Sequence, residues 1–178
     1  MHPFLPPLLA LVQGTGRRVS AVLALRYADL VLAKTKGAPH GAIAWPGETD
    51  KMGKAWRAPI SAAVCTTLDA FLRERPGVGA AYLFPSASDP TQPTRYGTAR
   101  RWLLAAERLA GVPKQDGSLW HAYRRLWATS RKHLPTAEVA QAGGWASVET
   151  LQRCYQQPDD ATILAVVTGG VELREVEA

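Results

Sequence analysis

Apolar residues crowd the opening stretch "PFLPPLLALV", and the Pro6-Pro7 pair sets a helix start there, because proline is tolerated in a first turn. Gly14, Thr15 and Gly16 interrupt the pattern. It resumes in "RRVSAVLALRYADL", where Val19, Val22, Leu23 and Leu30 fall at helical spacing and predict a second helix of about two turns. From Asp29 to Pro59 the helical period lapses, and "DLVLA", "GAIAW" and "AWRAPI" read as short strands of a small antiparallel sheet. The helical pattern returns from Ser61, a capping residue, to Arg73, and again from Thr98 to Ala110 before "GVPKQDG" ends it. Between them "YLFPSASDPTQPTRYG" reads as loop. The segment around "LWHAYRRLWATSRKH", then "TAEVAQAGG", "SVETLQRCY" and "DDATILAVVTGG", are each one helix in length and each stopped by glycine or proline. The pattern predicts an α+β fold, mainly α-helical, with one three-stranded antiparallel sheet near the N-terminal third.

Length and charge narrow what such a fold does. At 178 residues, 47% of them hydrophobic, the chain suits one buried core. A net charge of +6 points to an anionic partner, nucleic acid before a membrane surface. The opening apolar run lacks a basic flank and a cleavage site, so it is not a secretion signal, and at about ten residues it is half of what a bilayer span needs. Cys65 and Cys154 are isolated from each other and from any metal-ligand spacing, which fits a reducing cytoplasm and predicts neither disulfide nor metal site.

The candidate chemistry starts at "HAYRR". His121 and Arg124 stand three apart, on one helix face, while Arg125 turns away, and two such groups converging on one target suit a phosphate. A plain solvated basic face is the alternative. Arg18 follows a Thr-Gly break at a helix start, where a guanidinium and backbone N–H groups can face one anion. Lys51 and Lys54 lie in a turn between two strands, and Tyr155 ends a helix stopped by Pro158. Read along the chain, the order is Arg, Lys, His-x-x-Arg, Gly-Trp, Tyr.

In that order, over "TGRRVSAVL", "DKMGKAW", "HAYR", "GGW" and "CYQQPD", the chain resembles the catalytic domain of the tyrosine recombinases, the phage-integrase family. The resemblance runs from about Leu8 to about Val167. It implies that Arg18 and Arg124 are the two catalytic arginines, Lys51 the hairpin lysine with Lys54 its competitor, His121 the histidine, Trp145 the His/Trp position and Tyr155 the nucleophile. Ala21 stands where the family pattern carries glutamate, and Tyr155 lies ten positions after Trp145, where nine is usual. The resemblance also implies a catalytic domain over residues 1–168 with a C-terminal tail at 169–178, an assembly role for the stretch "DDATILAVVTGGVELREVEA", and the absence of the core-binding domain that precedes it in larger members.

Such a domain would cleave and rejoin duplex DNA through a 3′-phosphotyrosyl intermediate, in site-specific recombination or integration, self-associating as a tetramer on DNA. Exchange of one phosphate ester for another of similar energy needs neither ATP nor a metal or other cofactor, and neither a small-molecule substrate nor a membrane is implied. Arg100, Arg101, Arg125, Arg131 and Lys132 are expected on backbone phosphates, which position a protein without reading sequence. The competing functions are a DNA-binding remnant without recombinase activity, a type IB topoisomerase, and a small basic interaction module.

Overall fold

The computed structural model describes residues 1–47, 55–113, 119–158 and 160–169. Helix α1 (Leu5–Thr15) carries prolines in its first turn and buries Leu5, Leu8, Leu11, Val12 and Thr15, one continuous stripe. It is the central strut, packed against α3 (Ala62–Glu74) and α5 (Leu119–Thr129). The second helix, α2 (Val19–Leu23), is shorter than its apolar spacing predicts. Its continuation is drawn off into extended pairing: the Leu25 carbonyl accepts from the Leu83 N–H at 2.8 Å, and Arg26 bridges Tyr82.

The sheet has the order β1 (Leu30–Val31), β2 (Ala42–Trp45), β3 (Trp56–Pro59), all antiparallel, with Ile43 opposite Ala58 and Trp45 opposite Trp56. Pro59 sits on the edge strand, where its missing N–H costs no ladder bond. Ser61 caps α3 through an oxygen that accepts from the Val64 N–H. Helix α4 (Tyr96–Leu109) buries Ala99 and Leu103; α6 (Thr136–Gly143) and α7 (Val148–Cys154) pack on one another. The Pro/Ser/Thr-rich loop before α4 contains two fully buried core residues, Leu83 and Phe84, which no periodicity marks.

Burial divides into two apolar clusters. The larger joins α1 to α4 with β2 and the start of α5; the smaller holds Trp127, Ala128, Val139, Ala140, Trp145 and Leu151 from α5, α6 and α7. Beyond them α8 (Asp160–Thr168) leaves Ile163, Leu164, Val166 and Val167 exposed. No helix among the described residues is long and apolar enough to cross a membrane.

Candidate active site

Arg124 is charged by chemistry yet only 1% exposed, and its surroundings explain how. Helix α1 ends at Gly16 and α6 at Gly144, both in the left-handed conformation. The carbonyls that terminate a helix lack partners in their own helix and carry the negative end of its dipole. Arg124 fills that need twice over. Its Nη1 donates to the Gly16 carbonyl and, at 2.6 Å, to the Gly143 carbonyl, while Nη2 donates to the Gly144 carbonyl at 3.4 Å. At Gly16 a side chain would collide with the Trp127 ring, and at Gly144 with the Arg17 guanidinium, and at both it would be strained by the left-handed backbone.

The guanidinium also lies 3.5 Å over the centroid of the Trp145 ring. Burial, reinforced by Arg18, lowers its pKa, and the neighbouring Tyr155, whose ring lies 5.4 Å away, works in the other direction. A guanidinium does not lose its proton in proteins, so the site holds a permanent buried cation. Its Nε–H is buried without a partner among the described residues. A buried donor left this way costs free energy unless a ligand takes it up.

That ligand has a place to sit. Arg124 lines a cavity of about 100 Å³ together with Arg17, Arg18, Ser20, Tyr96, Trp120 and His121. Arg18 is the N-cap of α2, half-buried, with extended backbone that turns it into the cavity wall. His121 stands one turn before Arg124 on α5; burial on its inner side, then the charges of Arg124, Arg18 and Arg125, lower its pKa, so the imidazole is neutral at pH 7 and has an acceptor nitrogen. Tyr155, the C-cap residue of α7, completes the group, its ring 6.5 Å from the His121 ring and 5.0 Å from the Trp145 ring. Its main chain is pinned by Thr129, whose hydroxyl donates to the Tyr155 carbonyl at 2.9 Å and accepts from the Gln157 N–H.

Trp145 is brought beside Arg124 and Tyr155 but lines a different cavity, with Trp56 and Val148, and its indole N–H is buried without a partner among the described residues. Stacked 5.8 Å from Trp127, it is a floor under the guanidinium. Lys51 and Lys54 lie outside the described residues. Of the arginines expected on backbone phosphates, Arg100 and Arg101 are exposed on α4 and Arg125 is half-buried on α5, as is Lys132 just beyond it. Arg131 folds back, donating to the Trp127 carbonyl and stacking 4.4 Å over that ring, so it closes the end of α5.

Two contributors escape a reading of motifs. Arg17, 4% exposed, donates to the Ala142 and Gln141 carbonyls and lies over Trp45, joining α6 to the sheet. Tyr96, 47% exposed, lines the cavity from the first turn of α4. The Arg-Arg doublet was the visible sign of the first; nothing local marks the second.

Residues 6–162 match the family model described as the phage integrase family, and so cover most of the chain. The chain belongs to that family. This integrase-family fold is shared with solved site-specific recombinases. XerA recombinase is 22% identical with a TM-score of 0.71 over 94% of this chain and 56% of that one. XerH site-specific recombinase bound to difH substrate is 20% identical, TM-score 0.67, over 93% and 46%. The Tn1549 transposon integrase, in complex with a circular intermediate DNA, is 15% identical, TM-score 0.61, over 90% and 57%. The chain thus spans about half the length of these relatives. No curated protein matches it.

Proposed function

We propose that residues 1–168 form the catalytic unit of a tyrosine recombinase that cuts and rejoins duplex DNA through a 3′-phosphotyrosyl ester. The observation that carries this reading is the single cavity shared by Arg18, His121 and Arg124, whose Arg124 Nε–H has no partner among the described residues and whose guanidinium lies 5.4 Å over the Tyr155 ring.

Attack of the Tyr155 oxygen on a DNA phosphorus forms the tyrosyl P–O bond and breaks the bond to the 5′-oxygen. Negative charge builds on the two non-bridging oxygens meanwhile. Arg18 and Arg124 meet that charge with planar forks that a lysine cannot imitate, each contributing on the order of 3 kcal/mol, about a hundredfold in rate. Neutral His121 accepts the phenol proton, and Lys51 delivers a proton to the departing 5′-oxygen. Trp145 positions Arg124 by stacking beneath it. Reversal by a 5′-hydroxyl reseals the strand. The exposed apolar side chains of α8 serve self-association on DNA.

The test uses a duplex nicked near the cut, so that a short 5′-hydroxyl fragment diffuses away. The protein should form a covalent adduct in EDTA, mapped by mass spectrometry to the peptide containing "CYQQPD". Tyr155→Phe should abolish the adduct and leave DNA affinity and thermal stability unchanged. Lys51→Ala should be rescued by a 5′-bridging phosphorothiolate, whose sulfur leaves without a proton. An adduct on another tyrosine would overturn the assignment of Tyr155; DNA binding with no adduct would leave a binding remnant.

A further inference from the structure

The largest of the described cavities, about 460 Å³, lies outside the candidate active site. Three arginines, Arg75, Arg95 and Arg101, line it, with His2 and the hydroxyl-bearing Ser86 and Thr98. No aspartate or glutamate among the described residues does. Among the described residues none of the three guanidinium groups has a carboxylate within ion-pair distance. Like charges gathered around one hollow repel each other unless an anion shares them.

The walls around them are rigid. His2 stacks on Trp102 at 3.7 Å between ring centroids, Arg75 lies 5.1 Å over the Phe4 ring, and the Thr94 hydroxyl is tied to the Pro85 carbonyl. Arg95 is the N-cap of α4, a fourteen-residue helix with no acidic residue in its first turn and no side-chain cap. The helix end adds to the same positive field. Tyr96 lines the active-site cavity, and its neighbours Arg95 and Thr98 line this one, so the two hollows meet across one turn of α4.

We infer that Arg75, Arg95 and Arg101 form a second anion site that holds a backbone phosphate of the same DNA duplex, a few nucleotides from the phosphate in the active site. Guanidinium forks, one of them already donating to the Thr98 hydroxyl at 3.3 Å, with no carboxylate among the described lining residues, suit phosphate oxygens, whereas base edges present donors as well as acceptors. The inference rests on the proposed DNA reaction. The site grips the strand beside the cut without taking part in the chemistry, so its loss weakens binding and spares the reaction of bound DNA.

All three side chains are exposed, so glutamine replacements leave the fold intact, which thermal unfolding checks. The whole 178-residue protein is titrated with the nicked duplex across a salt series. Each phosphate that the protein ceases to neutralise lowers the slope of log K against log salt by about 0.9. The R75Q/R95Q/R101Q variant should bind more weakly with a shallower slope, and at saturating duplex should form the Tyr155 adduct at the wild-type rate. One neutral methylphosphonate linkage, stepped along the duplex, should weaken the wild type and not the variant at a position near the cut. A triple variant with the wild-type slope, or a walk with no such position, overturns the second site while duplex binding by the wild type keeps the main reading. Wild-type protein without salt-dependent duplex binding overturns both. Inorganic phosphate that saturates the wild type and not the variant, with duplex binding equal in the two, would make this a small-anion site and overturn the DNA assignment.

Discussion

Arg124 holds helix ends together and, on the proposed reaction, serves catalysis, and one substitution removes both. Arg124→Ala leaves the carbonyls of Gly16, Gly143 and Gly144 buried without their donor, at a cost of about 1–3 kcal/mol for each that water does not reach. A total of about 3 kcal/mol lowers the melting temperature by roughly 6–12 °C in a chain of this size, measurable by calorimetry. Arg18→Ala, at a half-buried rim, should lose catalysis with a far smaller change in melting. On the proposed reaction His121 sets the acid limb of the rate. Its pKa is lowered by burial and by the arginines around it, so the neutral, proton-accepting form persists below the ordinary value of 6.5 and is lost as pH falls through the lowered one. Single-turnover adduct formation should therefore reach half of its plateau at a pH below 6.5, and His121→Gln should remove that limb. The sequence showed His121 and Arg124 to share a helix face, since three-residue spacing is local. It did not show Arg124 as a structural group, because its acceptors lie 108, 19 and 20 positions away.

Helix ends do most of the positioning. The Gly-Thr-Gly and Gly-Gly-Trp stretches were legible as breaks, and the structure gives the breaks their purpose: each delivers a carbonyl to Arg124. Gly144→Ala tests this. It forces a side chain into the left-handed region and against the Arg17 guanidinium, which bonds the Gln141 and Ala142 carbonyls. A loss of about 1–3 kcal/mol is expected, along with a slower adduct reaction, both relieved in part by Arg17→Ala in the same chain. The strand and helix assignments read from periodicity agree with the fold because caps and breakers are sequence-local: Ser61 before α3, Gly111 after α4. Where tertiary pairing intervenes, periodicity misleads. Leu25 continues the apolar spacing of α2 but is pulled into a bridge with the chain at Leu83, and Leu83 and Phe84 are core residues inside a loop composition.

At the scale of the molecule, α8 is out of keeping with the rest. Val166 and Val167 are each 75% exposed, on a helix with no described residue buried. Leu164→Ser with Val167→Ser should change stability by less than about 0.5 kcal/mol, as surface substitutions do, and should reduce the stoichiometry of protein on DNA in sedimentation. A large drop in melting temperature would mean that α8 packs on its own chain. The two apolar clusters, one around α1 and one around α5 to α7, are joined by Arg124 at the seam. That seam decides what a descendant of this chain could discard. A lineage that abandoned strand cleavage would still lose stability without Arg124, whose bonds to the Gly16, Gly143 and Gly144 carbonyls help tie the two halves, whereas the Arg18 side chain, the His121 ring and the Tyr155 hydroxyl hold far less of the fold together. Among related chains, on the proposed reaction, Arg124 testifies to ancestry, and those other three groups testify to a living enzyme.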